Sequence, residues 1–522
     1  MSPQYLSPGV YVEEVDKGAK PIEGVGTSVA AFVGFAEKGP VNQPTLVTNW
    51  TQFTNVFGEF IPGGYLAHAV YGYFHNGGGS CYVNRLPSDG GKEEAQTGKV
   101  VQVALPSGAQ PSMEVFSVSA IEPGVAAGEI TLEVTKPSGE GVSEDQFNLI
   151  VRRGSKEEVF ENLTAKKAKG ARNVLDVVNK ESKLITIAEI SPRLSLLEKV
   201  PAPGTYALTT APAKALVVAD ITPDMLIGKA SERSGVAGFE LADDITMVCV
   251  PDLMALYDAG KVSKEGVKAV QQALLDHCSN MKDRFAVMDC LPGLNPQEVR
   301  DWRVKETGYD SKYGAIYYPW IKVPNPIGNG ENILVPPCGH MAGIYARSDT
   351  QRGVHKAPAN EVVQGAIGLE FQITKGEQDS LNPAGINCIR AFPGRGIRIW
   401  GARTLSSNAS WRYINVRRLF NFVEKSIEVG TQWVVFEPND IDLWERIKRD
   451  IKAFLTRVWR DGALFGATAD EAFYVKCDAE LNTPEVRDAG QVIIEIGLAP
   501  VKPAEFVIFR ISQWAGGAGV AE

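Results

Sequence analysis

The strongest constraint on the fold is a regular alternation of short apolar runs and longer amphipathic segments between residues 245 and 323. The short runs have the length of buried strands, and the longer segments repeat apolar residues at helical spacing. Such alternation with short connections predicts a parallel sheet with right-handed crossovers. The predicted strands are 245–252, 284–291 and 313–323, and the predicted helices are 263–282 and 295–306.

Charge density changes abruptly along the chain and marks further units. Residues 39–84 hold a single charge, Glu59, which indicates burial or an interface. Residues 87–211 hold 17 acids and 14 bases but only four aromatic residues, and short alternating runs at 129–135 and 146–151 predict strands. We interpret 87–211 as a separate, thin-cored, mostly β unit with a turn near Arg153–Gly154 and one helix at about 171–180.

The last unit is predicted to begin near residue 391. A strand at 397–405 precedes two long helices, 411–436 and 440–462, the second capped by Asp440 and ended by Gly462. Residues 491–501 and 505–514 read as two closing strands. The prediction is therefore an α/β and α+β multidomain chain, divided into an N-terminal arm at 1–22, a parallel α/β core at 23–86 with 212–390, an inserted β-rich outer unit at 87–211, and a C-terminal α+β unit at 391–522 ending in an arm strand.

The sequence contains none of the common enzyme motifs: it has no phosphate loop, no GxSxG elbow and no HExxH. The best catalytic candidates are Asp252 and Asp289, which follow adjacent predicted strands and could hold Mg²⁺. A metal-dependent α/β enzyme using both is the alternative function, and capping of the following loops is the structural alternative. For Cys338–Gly339–His340 we prefer a structural turn to a metal pair or nucleophile, and for 317–320 a core strand to a ligand platform. No cofactor is predicted.

The overall charge of −9 and the pI of about 5.4 argue against nucleic-acid binding. A nucleic-acid binder that uses the arginines at 390–418 remains the third candidate class of function. The seven cysteines form no CxxC pair and are expected to be reduced and mostly buried. The N-terminus has neither the basic region nor the apolar region of a secretory signal, and no apolar stretch reaches membrane-spanning length. We therefore expect no direct membrane insertion.

Several segments resemble contractile phage tail sheath proteins. In the N-terminal part these are YLSPGVYVEEV (5–15), TSVAAFVGFAEKGP (27–40) and YFHNGGGSCYVNRL (73–86). The resemblance continues through VPPCGHMAGIYARSDTQRGVHKAPAN (335–360), NPAGINCIRAFPGRGIRIWGARTL (382–405) and the pattern of the two C-terminal helices. The sheaths of phage-tail-like contractile injection systems are equally similar, and residues 87–211 fall outside the likeness.

The resemblance implies a structural subunit of a helical tube built from stacked hexameric rings around an inner tube. It implies contraction without nucleotide when a baseplate triggers it, with baseplate, terminal cap and inner tube proteins as partners. The implied location is assembly in the bacterial cytoplasm, followed by incorporation into a virion or phage-tail-like particle. A heterologous contact that repeats without closing generates such filaments from one protein.

Both chain ends are predicted to pair with neighbouring subunits as exchanged strands. The run at 9–15 is short and alternating, with a proline before it and a linker containing Gly and Pro after it. The run at 505–514 follows the break at Pro503, and exposed strand edges of this kind recruit partners. The alternative is that both strands pair within their own chain. The residues expected to carry these contacts are Val10, Tyr11, Val12, Phe506, Ile508 and Arg510.

Residues 380–423 contain seven arginines and no Asp, Glu or Lys. The resemblance places this part nearest the inner tube, so we expect the block to dock on an acidic tube surface. A solvated basic face without a partner is the alternative. The interface candidates at the start of the first long helix are Arg412, Arg417 and Arg418.

Overall fold

The computed structural model of the chain describes residues 21–87, 101–109, 113–122, 125, 128–137, 143–154, 156–168, 171–191, 194–210, 221–327 and 330–510. The first of these segments holds three strands and two helices. They are β1 (Val29–Gly34), β2 (Thr45–Val47), α1 (Trp50–Phe57), α2 (Leu66–His75) and β3 (Ser80–Arg85). The charge-poor stretch 39–84 supplies β2, α1, α2 and β3, and most of its large apolar side chains are buried.

The segment 101–210 forms a β-rich unit with one helix, as predicted. It contains β4 (Val101–Pro106), β5 (Glu114–Ala120), β6 (Ile130–Thr135), β7 (Gln146–Arg153), β8 (Lys156–Thr164), α3 (Val174–Glu181), β9 (Ile185–Glu189), β10 (Gly204–Ala207) and β11 (Thr209–Thr210). Two four-stranded sheets, β10-β6-β7-β8 and β11-β4-β5-β9, enclose a hydrophobic cluster drawn entirely from this segment. That cluster holds fully buried residues from both sheets, among them Phe116, Leu132 and Leu149, so the core is better developed than the aromatic-poor sequence suggested.

The segment 221–405 continues the core. Its elements are α4 (Pro223–Ile227), β12 (Met247–Cys249), α5 (Asp252–Asp258), α6 (Lys264–Met281), β13 (Phe285–Asp289), α7 (Pro296–Asp301) with a π-helical continuation (Trp302–Thr307), β14 (Gly314–Tyr318), β15 (Ile321–Pro324), β16 (Asn332–Val335), α8 (Cys338–Arg352), β17 (Gly368–Leu369), α9 (Lys375–Leu381), β18 (Ile386–Phe392) and β19 (Gly396–Ile399).

The C-terminal unit contains two long helices and a small sheet. Its elements are α10 (Ile414–Gly430), α11 (Ile441–Arg460), α12 (Ala469–Ala472), β20 (Phe473–Lys476), α13 (Pro484–Asp488) and β21 (Glu495–Leu498). Short 3-10 turns lie at Ala230–Glu232, Ala237–Leu241, Asn382–Ala384, Ala409–Trp411 and Gln432–Val434. As predicted, Asp440 caps α11, its carboxylate accepting a hydrogen bond from the backbone N–H of Leu443.

An eight-stranded sheet in the order β19-β18-β14-β13-β12-β1-β3-β2 organises the core. The six inner strands are parallel, and β2 and β19 close the two edges as antiparallel strands. Every residue of β12, β13 and β14 is buried, because helices cover both faces. One face packs against α5 and α6, and the other packs against α2 and α8. The predicted parallel α/β core is confirmed.

Two boundaries differ from the prediction. The single strand expected at 313–323 is two strands in different sheets, because Pro319 offers no N–H to continue the ladder beyond Tyr318. The strand expected at 397–405 is shorter, and β19 pairs with β18 at the edge of the core sheet. The core therefore extends past residue 391, and the C-terminal unit begins after β19.

The C-terminal helices bury a core of their own. Apolar residues of α10 and α11 meet between the helices, and the small sheet β20–β21 packs on α11. Ile22, from the start of the described chain, is 1% exposed within this cluster. The N-terminal segment thus reaches the C-terminal unit before the chain enters β1 in the core.

Candidate assembly surfaces

Asp252 lies where ligands bind in many open α/β sheets, but the chain itself fills the position. The strand order reverses between β1 and β12, and the crevice beyond their carboxyl ends is the usual ligand site. There the Asp252 carboxylate accepts hydrogen bonds from the backbone N–H groups of Phe35 (2.6 Å), Tyr65 and Leu66 (3.2 Å). Gly34 provides the space, since a Cβ at that residue would collide with this carboxylate.

Asp289 plays a related part at the next strand. Its Oδ1 accepts a hydrogen bond of 2.8 Å from the backbone N–H of Cys338, the first residue of α8. Both carboxylates therefore meet the positive N-terminus of a helix, α2 for Asp252 and α8 for Asp289. Burial raises the pKa of each carboxyl to about 7. The proposed Mg²⁺ site is not supported, because each carboxylate is engaged separately by backbone amides.

Cys338 and His340 belong to the first turns of helix α8 and not to the turn that we expected. Both are buried, and the His340 ring packs against Gly72 of α2. Tyr317, Tyr318 and Trp320 are at most 2% exposed, which confirms the core interpretation of the aromatic run. Across the described ranges, no group of three or more His, Cys, Asp or Glu side chains is arranged to hold a metal.

The C-terminal tail is the most conspicuous apolar surface. Residues 505–510 are not part of a strand in the described chain, which differs from the strand predicted at 505–514. Phe506, Val507, Ile508 and Phe509 are 71%, 68%, 78% and 83% exposed. Four consecutive exposed apolar residues are unusual on a surface and are typical of a segment that pairs with a partner. Arg510 is also exposed, and residues 511–514 lie outside the described residues.

The tail leaves the body at a well-defined point. The Glu505 carboxylate accepts four hydrogen bonds. Two come from Nε and Nη2 of Arg403 at 2.8 and 2.7 Å, one from Nδ2 of Asn382 at 2.7 Å, and one from the Tyr413 hydroxyl at 3.0 Å. Burial of Glu505 opposes its ionisation, but the hydrogen bonds from Arg403 and Asn382 outweigh this and lower the pKa of the carboxyl. The sequence did not reveal this cluster, since Arg403 and Glu505 are 102 residues apart.

The N-terminal segment is anchored in a different manner. The Ile22 side chain packs against Gly430 at the end of α10, and its carbonyl oxygen accepts a hydrogen bond from Arg457 of α11. Three residues later, the N–H of Val25 donates to the Ser426 hydroxyl at 3.1 Å. Val10, Tyr11 and Val12 lie outside the described residues.

A further surface is the small sheet of the C-terminal unit. β20 and β21 pair antiparallel, and each pairs with no other strand within the described part of the chain. Both therefore present an outer edge of backbone N–H and C=O groups, which is the usual acceptor for an added strand.

The arginine block is used mainly inside the chain. Arg417 is 1% exposed, donates to Asn421 and Glu424, and lies over the ring of Trp411 at 4.6 Å. Arg418 is 4% exposed and forms a two-point ion pair with Asp349, with donor–acceptor distances of 2.9 and 2.6 Å. The prediction that both face a partner is wrong. All residues from Ile414 to Leu419 on the first turns of α10 are buried, so this part of the helix is enclosed on every side.

Arg412 is the exception among the three candidates, because its residue is exposed. It precedes Tyr413, the N-cap of α10, and lies at the surface of the junction between core and C-terminal unit. Its proposed contact with a tube remains a prediction.

The loop between α10 and α11 adds an exposed feature that the sequence did not suggest. Phe436 is fully exposed and has a φ of 67°, a conformation that a bulky side chain rarely adopts. Val435 and Ile441 beside it are also exposed. Among the helices of the described residues, none is long and apolar enough to cross a membrane.

Comparison with protein families identifies the class. The family profile described as the phage tail sheath protein central domain matches residues 242–405, and the profile described as the phage tail sheath C-terminal domain matches residues 406–513. The two matches adjoin and together cover more than half of the chain. They coincide with the second part of the core and with the C-terminal unit. The chain belongs to the phage tail sheath family.

Individual relatives agree with this assignment. The tail sheath protein of Vibrio phage KVP40 is 27% identical over 296 residues, which cover 55% of this chain and 42% of that protein. A putative prophage major tail sheath protein of Pseudomonas aeruginosa strain UCBPP-PA14 is 24% identical over 350 residues, which cover 57% of this chain and 88% of that protein. The chain thus matches less than half the length of the Vibrio phage relative.

The fold as a whole is similar to that of a solved contractile sheath. In the sheath complex of the extracellular contractile injection system PVC, in its contracted state, a chain of 24% identity superposes with a TM-score of 0.57. The match covers 98% of this chain and 99% of that one. The similarity in fold therefore extends over the β-rich insertion.

Proposed function

We propose that this chain is the subunit of a contractile sheath. Copies assemble into a helical tube of stacked hexameric rings around an inner tube, and the tube shortens on triggering to drive the inner tube through a target envelope. The observation that carries the proposal is the continuous match of residues 242–513 to the two tail sheath profiles. The exposed apolar tail at 506–509 supports it independently, because it offers a contact that one chain leaves unmade.

The partners in this proposal are other copies of the chain, an inner tube protein, a baseplate and a terminal cap. Assembly takes place in the bacterial cytoplasm, and the product is a virion or a phage-tail-like particle. The C-terminal arm adds a strand to a neighbouring subunit, for which the open edges of β20 and β21 are suitable acceptors. The N-terminal arm beyond Ile22 makes the second connection.

No catalytic or nucleotide-driven step belongs to this function. Shortening is downhill from a kinetically trapped assembly, and its free energy comes from new contacts between subunits. The engaged carboxylates of Asp252 and Asp289 support this, since both are structural. Assembled sheaths should shorten without ATP, and a requirement for ATP would contradict this part of the proposal.

Electron microscopy of the purified chain tests the main claim. Expressed alone, the chain should yield tubes or rings. Expressed together with the tube protein, it should yield inner tubes covered by sheath. A chain lacking residues 506–522 is the control, since it keeps the core and the C-terminal unit but loses the exposed tail. Discrete particles at every concentration, with or without the tube protein, would argue against a sheath.

A further inference from the structure

We propose that Arg403 and Glu505 form a latch that fixes the origin of the C-terminal arm to the core sheet. The proposal rests on the arm function given above and adds the residues that position the arm. The latch is built from the four hydrogen bonds that the Glu505 carboxylate accepts. Arg403 and Glu505 are 13% and 17% exposed, whereas the next four residues are more than two-thirds exposed. The continuously exposed part of the arm therefore begins directly after Glu505.

Arg403 is itself held to the core. The side-chain amide of Asn387, which is fully buried in β18, accepts from the backbone N–H of Arg403 at 2.7 Å and donates to its carbonyl oxygen at 2.8 Å. Arg403 Nη1 also donates to the carbonyl oxygen of Asn382 at 3.3 Å. The guanidinium that receives Glu505 is thus oriented by the central sheet and by the turn before β18. A two-point pair of this geometry fixes direction as well as distance.

The latch also crosses the junction between the two units. The chain reaches it from the C-terminal unit, where the N–H of Val501 donates to Ala463 at 3.1 Å. Residues 502–504 then bridge to the core. Tyr413, whose hydroxyl completes the Glu505 site, is the N-cap of α10. An open latch would free residues 502–505, which adds roughly 13 Å to the reach of the arm at ~3.3 Å per residue.

The latch can be tested by distances in the unassembled chain. Spin labels are placed at Val507→Cys in the arm and Lys375→Cys at the exposed start of α9, and all seven native cysteines are buried. Pulsed electron resonance then measures the distribution of label separations. Glu505→Ala should broaden the distribution at least twofold, and Glu505→Gln, which keeps length but loses charge, should give an intermediate width. Glu437→Ala is the matched control, because it removes an exposed ion pair with Arg446 in the C-terminal unit.

Equal widths for wild type and Glu505→Ala, or equal broadening by the control, would overturn the latch. If the Glu505→Gln variant had the same distribution width as wild type, the charge of Glu505 would have no role. That result would also overturn the latch. Thermal midpoints of all variants establish that the body remains folded.

Assembly supplies the second readout. Because a freed arm must be ordered again on binding, Glu505→Ala should raise the critical concentration for tube formation roughly tenfold, whereas Glu437→Ala should leave it unchanged. An unchanged critical concentration in the Ala variant contradicts the positioning role. Deletion of residues 506–522 separates the two proposals: if that chain assembles normally, the arm function fails while the distance measurement still decides the latch.

Discussion

Two buried carboxylates hold the core together at the level of single residues. Asp252 and Asp289 accept backbone N–H groups at the starts of α2 and α8, the helix pair that covers one face of the sheet. Burial raises the pKa of each carboxyl to about 7. In this chain the usual ligand crevice of an α/β sheet is therefore filled by hydrogen bonds between the chain's own elements.

Asp289→Asn should reduce the pH dependence of stability. The unfolded carboxyl has a pKa of 3.8 and the folded one a pKa of about 7, so the folded state binds the proton more tightly. The stability from this group is complete below pH ~4 and is lost as pH rises through about 7. Asn keeps the acceptor for Cys338 but does not titrate. The free energy of unfolding of wild type relative to the variant should fall by up to ~1.4 kcal/mol per pH unit across that window.

Urea unfolding at several pH values measures this difference. Asp379→Asn, an exposed change on α9, is the control and should follow wild type at every pH. A variant that keeps the full wild-type pH profile would show that Asp289 does not titrate in this window.

Arg418→Met should destabilise the fold by ~3–5 kcal/mol, because it leaves Asp349 buried and unpaired. The double variant Arg418→Met with Asp349→Leu should recover much of the loss, since two apolar residues then replace the pair. Denaturant midpoints provide the measurement, and Arg412→Gln at the exposed position should change stability by less than ~0.5 kcal/mol. If Arg418→Met were as stable as Arg412→Gln, the ion pair would have no structural role.

Arg412→Glu tests the remaining tube contact. An exposed charge pair contributes only ~0–1 kcal/mol, but a sheath repeats it in every subunit. The variant should form sheath alone and clad tubes poorly at ordinary salt, with cladding partly restored when salt screens the repulsion. Negative-stain images count clad and bare tubes, and Lys375→Glu serves as an exposed control elsewhere. Normal cladding at low salt would remove Arg412 from the interface.

At the level of elements, the alternating pattern predicted the parallel sheet and its crossover helices well. The reason is that the spacing of apolar residues within each segment is enough to distinguish a strand from a helix. Helix α8 was missed for the opposite reason. Its first nine residues are all buried, and a helix enclosed on every side shows no amphipathic stripe. The break at Pro319 was visible in the sequence but was outweighed by the apolar residues around it.

The arginine block shows why the site was harder to predict than the fold. Seven arginines in a stretch that itself holds no acid indicate a basic surface, yet Arg418 pairs with Asp349, 69 residues away, and Arg403 with Glu505, 102 residues away. Long-range ion pairs leave no local signal. The apolar run at 505–514 was predicted as a strand, whereas the structure shows residues 505–510 outside any strand, with 506–509 exposed and the tail held at Glu505.

Removing residues 1–20 should abolish polymerisation while leaving the chain folded. The described chain keeps its anchor at Ile22, so the cluster between α10 and α11 remains intact. Circular dichroism and the thermal midpoint should match wild type, and electron microscopy should show no tubes. The control is the variant described below in which residues 88–210 are replaced by a linker, because that deletion should not prevent assembly. Tubes of normal length from the truncated chain would refute strand exchange at the N-terminus.

At the level of the whole molecule, the β-rich insertion stands apart. Its hydrophobic cluster contains only its own residues, and the backbone hydrogen bonds of its described turns and loops also stay within it. Pro87 before the insertion and Asp224 after it line the same cavity of the core, so entry and exit lie close together. Among the described residues, the insertion therefore has a hydrophobic core of its own, separate from the cores on the two faces of the α/β sheet.

Replacing residues 88–210 by a short Gly/Ser linker should therefore leave a folded chain that still assembles and shortens. The spacing of rings before and after shortening, measured by electron microscopy, should equal that of wild type, because we propose that the insertion lies on the outer face. The isolated unit 88–210 should fold alone, which circular dichroism checks. Loss of folding in the shortened chain would show that the insertion supports the core.

Each end of the described chain contacts the unit from which it does not directly continue. The N-terminal segment packs in the C-terminal unit at Ile22 and then enters the core, whereas the C-terminal segment leaves the C-terminal unit and is fastened to the core at Glu505. Each end thus staples one unit to the other. In an assembly joined through its arms, the staples oppose hinge motion between the two units. The subunit would then turn as a rigid body about its two exits, and the change in length of the tube would come from reorientation of whole subunits.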